Sequence, residues 1–166
     1  MKVFGFLTAL LATASAASVI SPEEKADWEG CTNDLISAYN RGAAGDKTSC
    51  VFWECLHKNA DKYHRGGGIA ALSNIITPVC LPVIAWPWDP HTAPKPSWQE
   101  VEDWRTCTRD LIKTFDSPTS GNEAACRMWA CLHNNVSKYN RGGIVTQSSK
   151  LLTPLCNFKG LIPDWN

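Results

Sequence analysis

Two histidines and two aspartates have the types and spacing for chemistry in this chain. His57 and His133 each follow a Cys-Leu pair, and Asp34 and Asp110 each lie three residues beyond a cysteine. An imidazole carried on a helix and oriented by a carboxylate can take a proton from water, so this set predicts general-base hydrolysis with His57 and His133 as bases. The competing reading places each histidine at the edge of a helical core face, hydrogen-bonded to a neighbour, and each aspartate in solvent. Residues for other chemistries are missing. The chain has no serine nucleophile elbow, phosphate loop, EF-hand loop or metalloprotease motif. Nothing in the sequence calls for a cofactor or a metal, and the balance favours a non-enzymatic protein.

The histidines belong to a longer pattern. Residues Cys50 to Gly67 read C-x2-W-x-C-L-H-x-N-x2-K-Y-x-R-G-G, and Cys126 to Gly143 read the same way. Laying residues 21–80 over 97–156 at a constant offset of 76 matches 25 of 60 positions without a gap, including all four cysteines of each copy. The chain reads as a tandem duplication, and a solenoid, which needs at least about three repeats, is excluded. Within the pattern Tyr63 and Tyr139 are expected to be core aromatics, and Asn59 and Asn135 to hydrogen-bond a loop. Asn135-Val136-Ser137 is also a glycosylation sequon.

Lys2, the apolar run from Val3 to Ala12 and the small residues Ala14, Ser15 and Ala16 read as a secretory signal over residues 1–17. No other apolar stretch approaches the roughly 18 residues of a membrane span, so no transmembrane anchor is expected. Eight cysteines, all inside the repeats, fit an oxidising compartment and a disulfide framework. Without Lys2 there are 15 basic against 16 acidic residues, a balance that argues against a nucleic-acid partner. Eight tryptophans are many for a core of this size. Trp86 and Trp88, in the proline-rich connector, and Trp98 just beyond it are candidate contact residues, since aromatics are enriched in interface hot spots.

The elements that would position these groups are helical. Ser21 and Glu24 form a capping box with Pro22 at the first helical position, and Ser97 and Glu100 repeat the box. Trp28, Cys31, Leu35, Ile36 and Tyr39 share one helical face, as do Trp104, Cys107, Leu111, Ile112 and Phe115. A loop over Asn40 to Gly45, matched by Asp116 to Gly121, leads to Asp46 and Asn122 as N-caps of a second helix. That helix is expected to run to about His64 and Asn140, with Lys62, Arg65, Lys138 and Arg141 on its last turn and the glycine pair ending it. A third helix, roughly Ile69 to Ile76 and Ile144 to Leu152, is expected to stop at Pro78 or Pro154. The expected fold is all-α, a tandem duplication of a disulfide-stapled three-helix module. Residues 18–80 form the first module, 81–96 a stiff Pro/Trp connector, and 97–166 the second module with its tail.

Helix geometry ranks the cysteine pairings. Cys50 and Cys55 lie roughly 140° apart on one helix and cannot bond to each other. In an antiparallel hairpin, Cys31 and Cys55 sit at the same height, about 12 Å from the loop. The third helix then returns Cys80 towards Cys50. The expected bonds are Cys31–Cys55, Cys50–Cys80, Cys107–Cys131 and Cys126–Cys156. The alternative, Cys31–Cys50 with Cys55–Cys80, needs a hairpin staggered by more than a turn.

In style, with a short leader, a cysteine-rich mature chain and a duplicated helical module, the sequence resembles fungal small secreted cysteine-rich proteins of the effector type. It is similar also to saposin-like lipid binders, which use six cysteines per module against four here. The histidine and aspartate set resembles that of small disulfide-rich phospholipases, whose catalytic histidine is followed by aspartate, where Lys58 or Asn134 stands here. The resulting expectation is a secreted, extracellular, non-enzymatic binding or effector-type protein whose partner is a protein, glycan or lipid. The alternatives are a small secreted lipid or ester hydrolase and a saposin-like membrane-active protein.

Overall fold

The computed structural model describes residues 19–43, 45–65, 67–85, 94–116, 121–142 and Cys156, with the side chains of 67–75 and 121–122 left aside. Among them the chain forms five α-helices and no strand: α1 Pro22–Asn40, α2 Gly45–Lys62, α3 Gly67–Ala85, α4 Trp98–Phe115 and α5 Gly121–Lys138. The leader over 1–17, Trp86, Trp88, the helix expected over 144–152 and the tail after Cys156 lie outside the described residues.

α1 and α4 begin at serine caps. Ser21 Oγ accepts from the Glu24 N–H at 3.0 Å, and Ser97 Oγ from that of Glu100 at 3.1 Å. The two glutamates do not close the capping box. Their carboxylates turn into the bundle and are buried. Asp46, expected as an N-cap, lies inside the first turn of α2, where its negative charge still faces the positive end of the helix.

α2 and α5 end two residues earlier than the sequence suggests, and a different device ends them. His64 and Asn140 take left-handed backbone angles, with φ of 53° and 51°. The Arg65 N–H then reaches the Ala60 carbonyl at 2.9 Å, and the Arg141 N–H reaches that of Val136 at 2.9 Å. This is a Schellman closure with histidine or asparagine, both tolerated there, in place of the usual glycine. The turn moves Arg65 and Arg141 off the helix and sends their side chains back along the bundle.

α3 is longer than expected. It passes through Pro78 and Pro82 to Ala85 and absorbs the first residues of the expected connector. Each proline removes one N–H from the helical ladder, and the two stand four residues apart on an exposed face of the helix. The opposite face holds the helix in place through buried Ile76 and Cys80, with Val83 and Ile84 packed against the core.

Four disulfides staple the helices: Cys31–Cys55, Cys50–Cys80, Cys107–Cys131 and Cys126–Cys156. One buried cluster contains residues from both halves of the chain, so the halves share a core. Helix packing joins α1 to α2 and α4 to α5 within the halves, and α1 to α4 and α3 to α5 between them.

Contacts between the halves recur at the 76-residue offset. Trp28 packs on Phe115 with ring centroids 5.3 Å apart, and the matched pair Trp104 and Tyr39 lies at 6.1 Å. Thr32 meets its own counterpart Thr108 by a buried hydroxyl hydrogen bond, and Trp53 meets Trp129 edge to face at 5.8 Å. Residues that touch their own counterparts are what an approximate two-fold axis requires. Close approach also demands glycine at two places. A Cβ on Gly45 would overlap the Arg141 carbonyl oxygen, and one on Gly142, at φ 142°, would overlap the Asp46 carboxylate.

Candidate functional site

The repeat-matched charged residues fall into two braces per half. In the first, Glu24 is held by Arg65, whose Nε and Nη2 donate at 2.6 and 2.8 Å. Glu100 is held in the same way by Arg141 at 2.5 and 2.7 Å. The indole N–H of Trp28 donates to Glu24 at 3.4 Å, and that of Trp104 to Glu100 at 3.3 Å. Each guanidinium then lies over an aromatic ring of the other half, Arg65 over Phe115 at 5.1 Å and Arg141 over Tyr39 at 4.5 Å. The stacked ring brings a cation–π attraction that strengthens as water is excluded. Burial pushes the Tyr39 hydroxyl up to about 12, so it stays neutral beneath the arginine.

The second brace ties the start of the first helix in each half to the end of the second. Lys62 and the Tyr63 hydroxyl both donate to Asp27 Oδ2, at 2.7 and 2.5 Å. Lys138 and Tyr139 do the same to Asp103 Oδ2 at 2.7 and 2.5 Å. The Lys138 ammonium and the Tyr139 hydroxyl hold the Asp103 carboxyl down at about 2, and the same contacts raise Lys138 to about 12. Asp27 is lowered by the same two partners. Tyr63 and Tyr139, expected as core aromatics, are half-buried and serve as donors in this brace. Asn59 and Asn135, expected to bond a loop, are buried, and their amides donate to Cys31 Sγ and Cys107 Sγ, each at 3.2 Å.

The carboxylate beside His57 is that of Asp61, one turn along the same helix, with Nε2 3.4 Å from Oδ2. Burial lowers the pKa of His133 from the ordinary histidine value, favouring its neutral imidazole near pH 7. Asp34 and Asp110 are exposed on α1 and α4, and Asp110 pairs with Lys113 at 3.1 Å. They border two matched grooves whose lining residues do not include the histidines. The groove between α1 and α2, of about 330 Å³, has Asp34, Arg41, Lys47 and Val51 around the Cys31–Cys55 disulfide. The groove between α4 and α5, of about 520 Å³, has Asp110, Lys113 and Arg127 around Cys107–Cys131.

Trp98 is 77 % exposed on the first turn of α4. Among the described residues, no group of three or more His, Cys, Asp or Glu is placed to hold a metal ion, and no helix is long and apolar enough to cross a membrane. Sequence reasoning missed the braces. Their signal was present in the identity of Glu, Asp, Lys, Tyr and Arg at matched positions, with glutamate and arginine 41 residues apart in both copies. Comparison with family models, with curated proteins and with solved structures gave no match to this chain.

Proposed function

We propose that this chain is a binding protein of an oxidising, extracellular setting that engages its partner through the two matched grooves and the exposed Trp98. The observation that carries the reading is how the matched residues are used. Glu24, Asp27, Lys62, Tyr63 and Arg65 and their counterparts are committed to holding the bundle together. Asp34 and Asp110 are the matched carboxylates left at groove rims. Each groove offers a carboxylate beside basic side chains around a disulfide, chemistry suited to a polar partner with apolar groups. Two such sites on one rigid body raise apparent affinity by effective concentration when both are engaged. The four disulfides suit the protein to a compartment where thiols are oxidised.

The test uses the oxidised protein against glycan arrays, phospholipid vesicles and a displayed peptide library. Binding should weaken on Asp34→Ala and on Asp110→Ala and fall further when both are changed, with Trp98→Ala acting independently. Turnover of ester or phospholipid substrates that disappears in the His57→Gln, His133→Gln double variant would overturn the reading in favour of a hydrolase.

A further inference from the structure

At the centre of the bundle, where the two halves meet, a cavity of about 20 Å³ is walled mainly by apolar side chains such as Leu35, Phe52 and Leu132. Trp53 from α2 and Trp129 from α5 both line it, and both are more than nine-tenths buried. Neither indole N–H has an acceptor among the described residues. The other indole at this cavity, that of Trp104, already donates to Glu100. Two orphaned donors on residues that line one central cavity are unusual, because buried N–H groups in native proteins are almost always paired.

We infer that this cavity is a binding site for one water molecule, held between the Trp53 and Trp129 N–H groups. An indole is a donor only, so the occupant must accept hydrogen bonds. The rings stand at 90° to one another, and in such a pair only one ring can direct its edge at the face of the other. Contact between the rings therefore satisfies at most one of the two donors. Size decides the rest. A polar cavity needs about 10–15 Å³ of such space to hold a water, and drug-sized ligands occupy sites of about 300 Å³ or more. An anion would have to shed its hydration in a mainly apolar setting, at a cost that two neutral donors do not offset. A water accepts from both indoles and can donate one proton to the hydroxyl of Ser49, a residue that also lines the cavity. That hydroxyl lies 3.4 Å from the Tyr39 hydroxyl, in a buried polar pair that extends the network. Three hydrogen bonds are typical for an internal water. Ser49 is matched by Ala125, so the polar anchor comes from one half only.

The experiment uses the full oxidised mature chain. In ¹⁵N-edited water NOE and ROE spectra, the indole protons of Trp53 and Trp129, among the eight tryptophans, should show cross-peaks to a long-lived water. Trp53→Phe and Trp129→Phe assign the two resonances by removing one each, and through-bond assignment of the unmodified protein serves if either variant fails to fold. Ser49→Ala should shorten the residence time of the water and weaken both cross-peaks. A high-resolution crystal structure of the unmodified protein should place one water within hydrogen-bond distance of both nitrogens. A protein acceptor found at both N–H groups, a side chain filling the cavity, or assigned indole protons without a water cross-peak would overturn the inference.

Discussion

Replacing Arg141 with methionine keeps the length and the apolar stem of the side chain and removes its charge. In the folded protein this guanidinium makes two hydrogen bonds to Glu100 and a third, of 2.7 Å, to the Pro94 carbonyl, with the ion-paired side chains only 2 % and 3 % exposed. The substitution leaves the Glu100 carboxylate buried with the 3.3 Å bond from Trp104 as its remaining side-chain donor. Removing one partner of a buried, hydrogen-bonded pair costs about 3–5 kcal/mol, because the survivor is a desolvated charge. For a chain of this size each kcal/mol moves the midpoint by about 2–4 °C, so thermal unfolding should fall by about 6–20 °C. The assay is equilibrium denaturation under non-reducing conditions, followed by tryptophan fluorescence and circular dichroism. Changing both partners, Glu100→Met with Arg141→Met, should recover most of the loss, since an apolar replacement of the whole pair strands no charge. Arg65→Met should cost less, because the matched pair is more open, at 10 % and 5 % exposure. An Arg141→Met protein within about 1 kcal/mol of the parent, or a double variant as unstable as the single, would refute the claim that this pair is a buried structural brace.

The acid limb of stability should carry the mark of Asp103. Its folded pKa of about 2 lies below the ordinary value of 3.8, so the stabilisation it gives is complete above pH 4 and is lost as pH falls towards 2. Denaturant midpoints measured across that window should flatten in Asp103→Asn. His133 should titrate below the ordinary histidine value of 6.5 in an NMR pH series, and a higher value would contradict its partial burial. Removing the Cys50–Cys80 bond by a double serine substitution opens a separation of 30 residues and should cost about 3–4 kcal/mol in the chain-entropy model. Asn135 should carry no glycan in the folded protein when it is expressed through a secretory pathway, because it is 6 % exposed and its amide is bonded to Cys107 Sγ. Intact mass before and after glycosidase treatment checks this.

Helix faces and disulfides were legible in the sequence because each depends on local geometry. The 3.6-residue period puts Trp28, Cys31, Leu35, Ile36 and Tyr39 on one face, and all five are buried. The height of each cysteine on a helical hairpin was enough to rank the bonds. The helix ends were less legible. Glycine beyond Arg65 and Arg141 looked like the stop signal, but the tertiary pull of Glu24 and Glu100 on those arginines turns the chain at His64 and Asn140. Pro78 looked like a terminator, but Cys80 and Ile76 hold α3 against the core, and that anchoring outweighs lost ladder bonds on an exposed face. In both cases a long-range contact overrode a local propensity, and such contacts leave no periodic trace.

The candidate site was harder to read, because identity between the halves has two physical sources. A residue can match because each half uses it alike, or because an approximate two-fold contact needs it once from either side. Thr32 with Thr108 and Trp53 with Trp129 belong to the second kind, since each touches its own counterpart. Arg65 and Arg141 belong to both kinds, pairing within a half and stacking on the other. Matching alone made His57 and His133 look catalytic. The geometry sets His57 beside Asp61 on its own helix and leaves Asp34 and Asp110 at the groove rims. Asp34 and Asp110 take no part in either brace, and Asp110 pairs with Lys113 on its own helix, so both carboxylates stand exposed at the rims where the proposed partner would meet them.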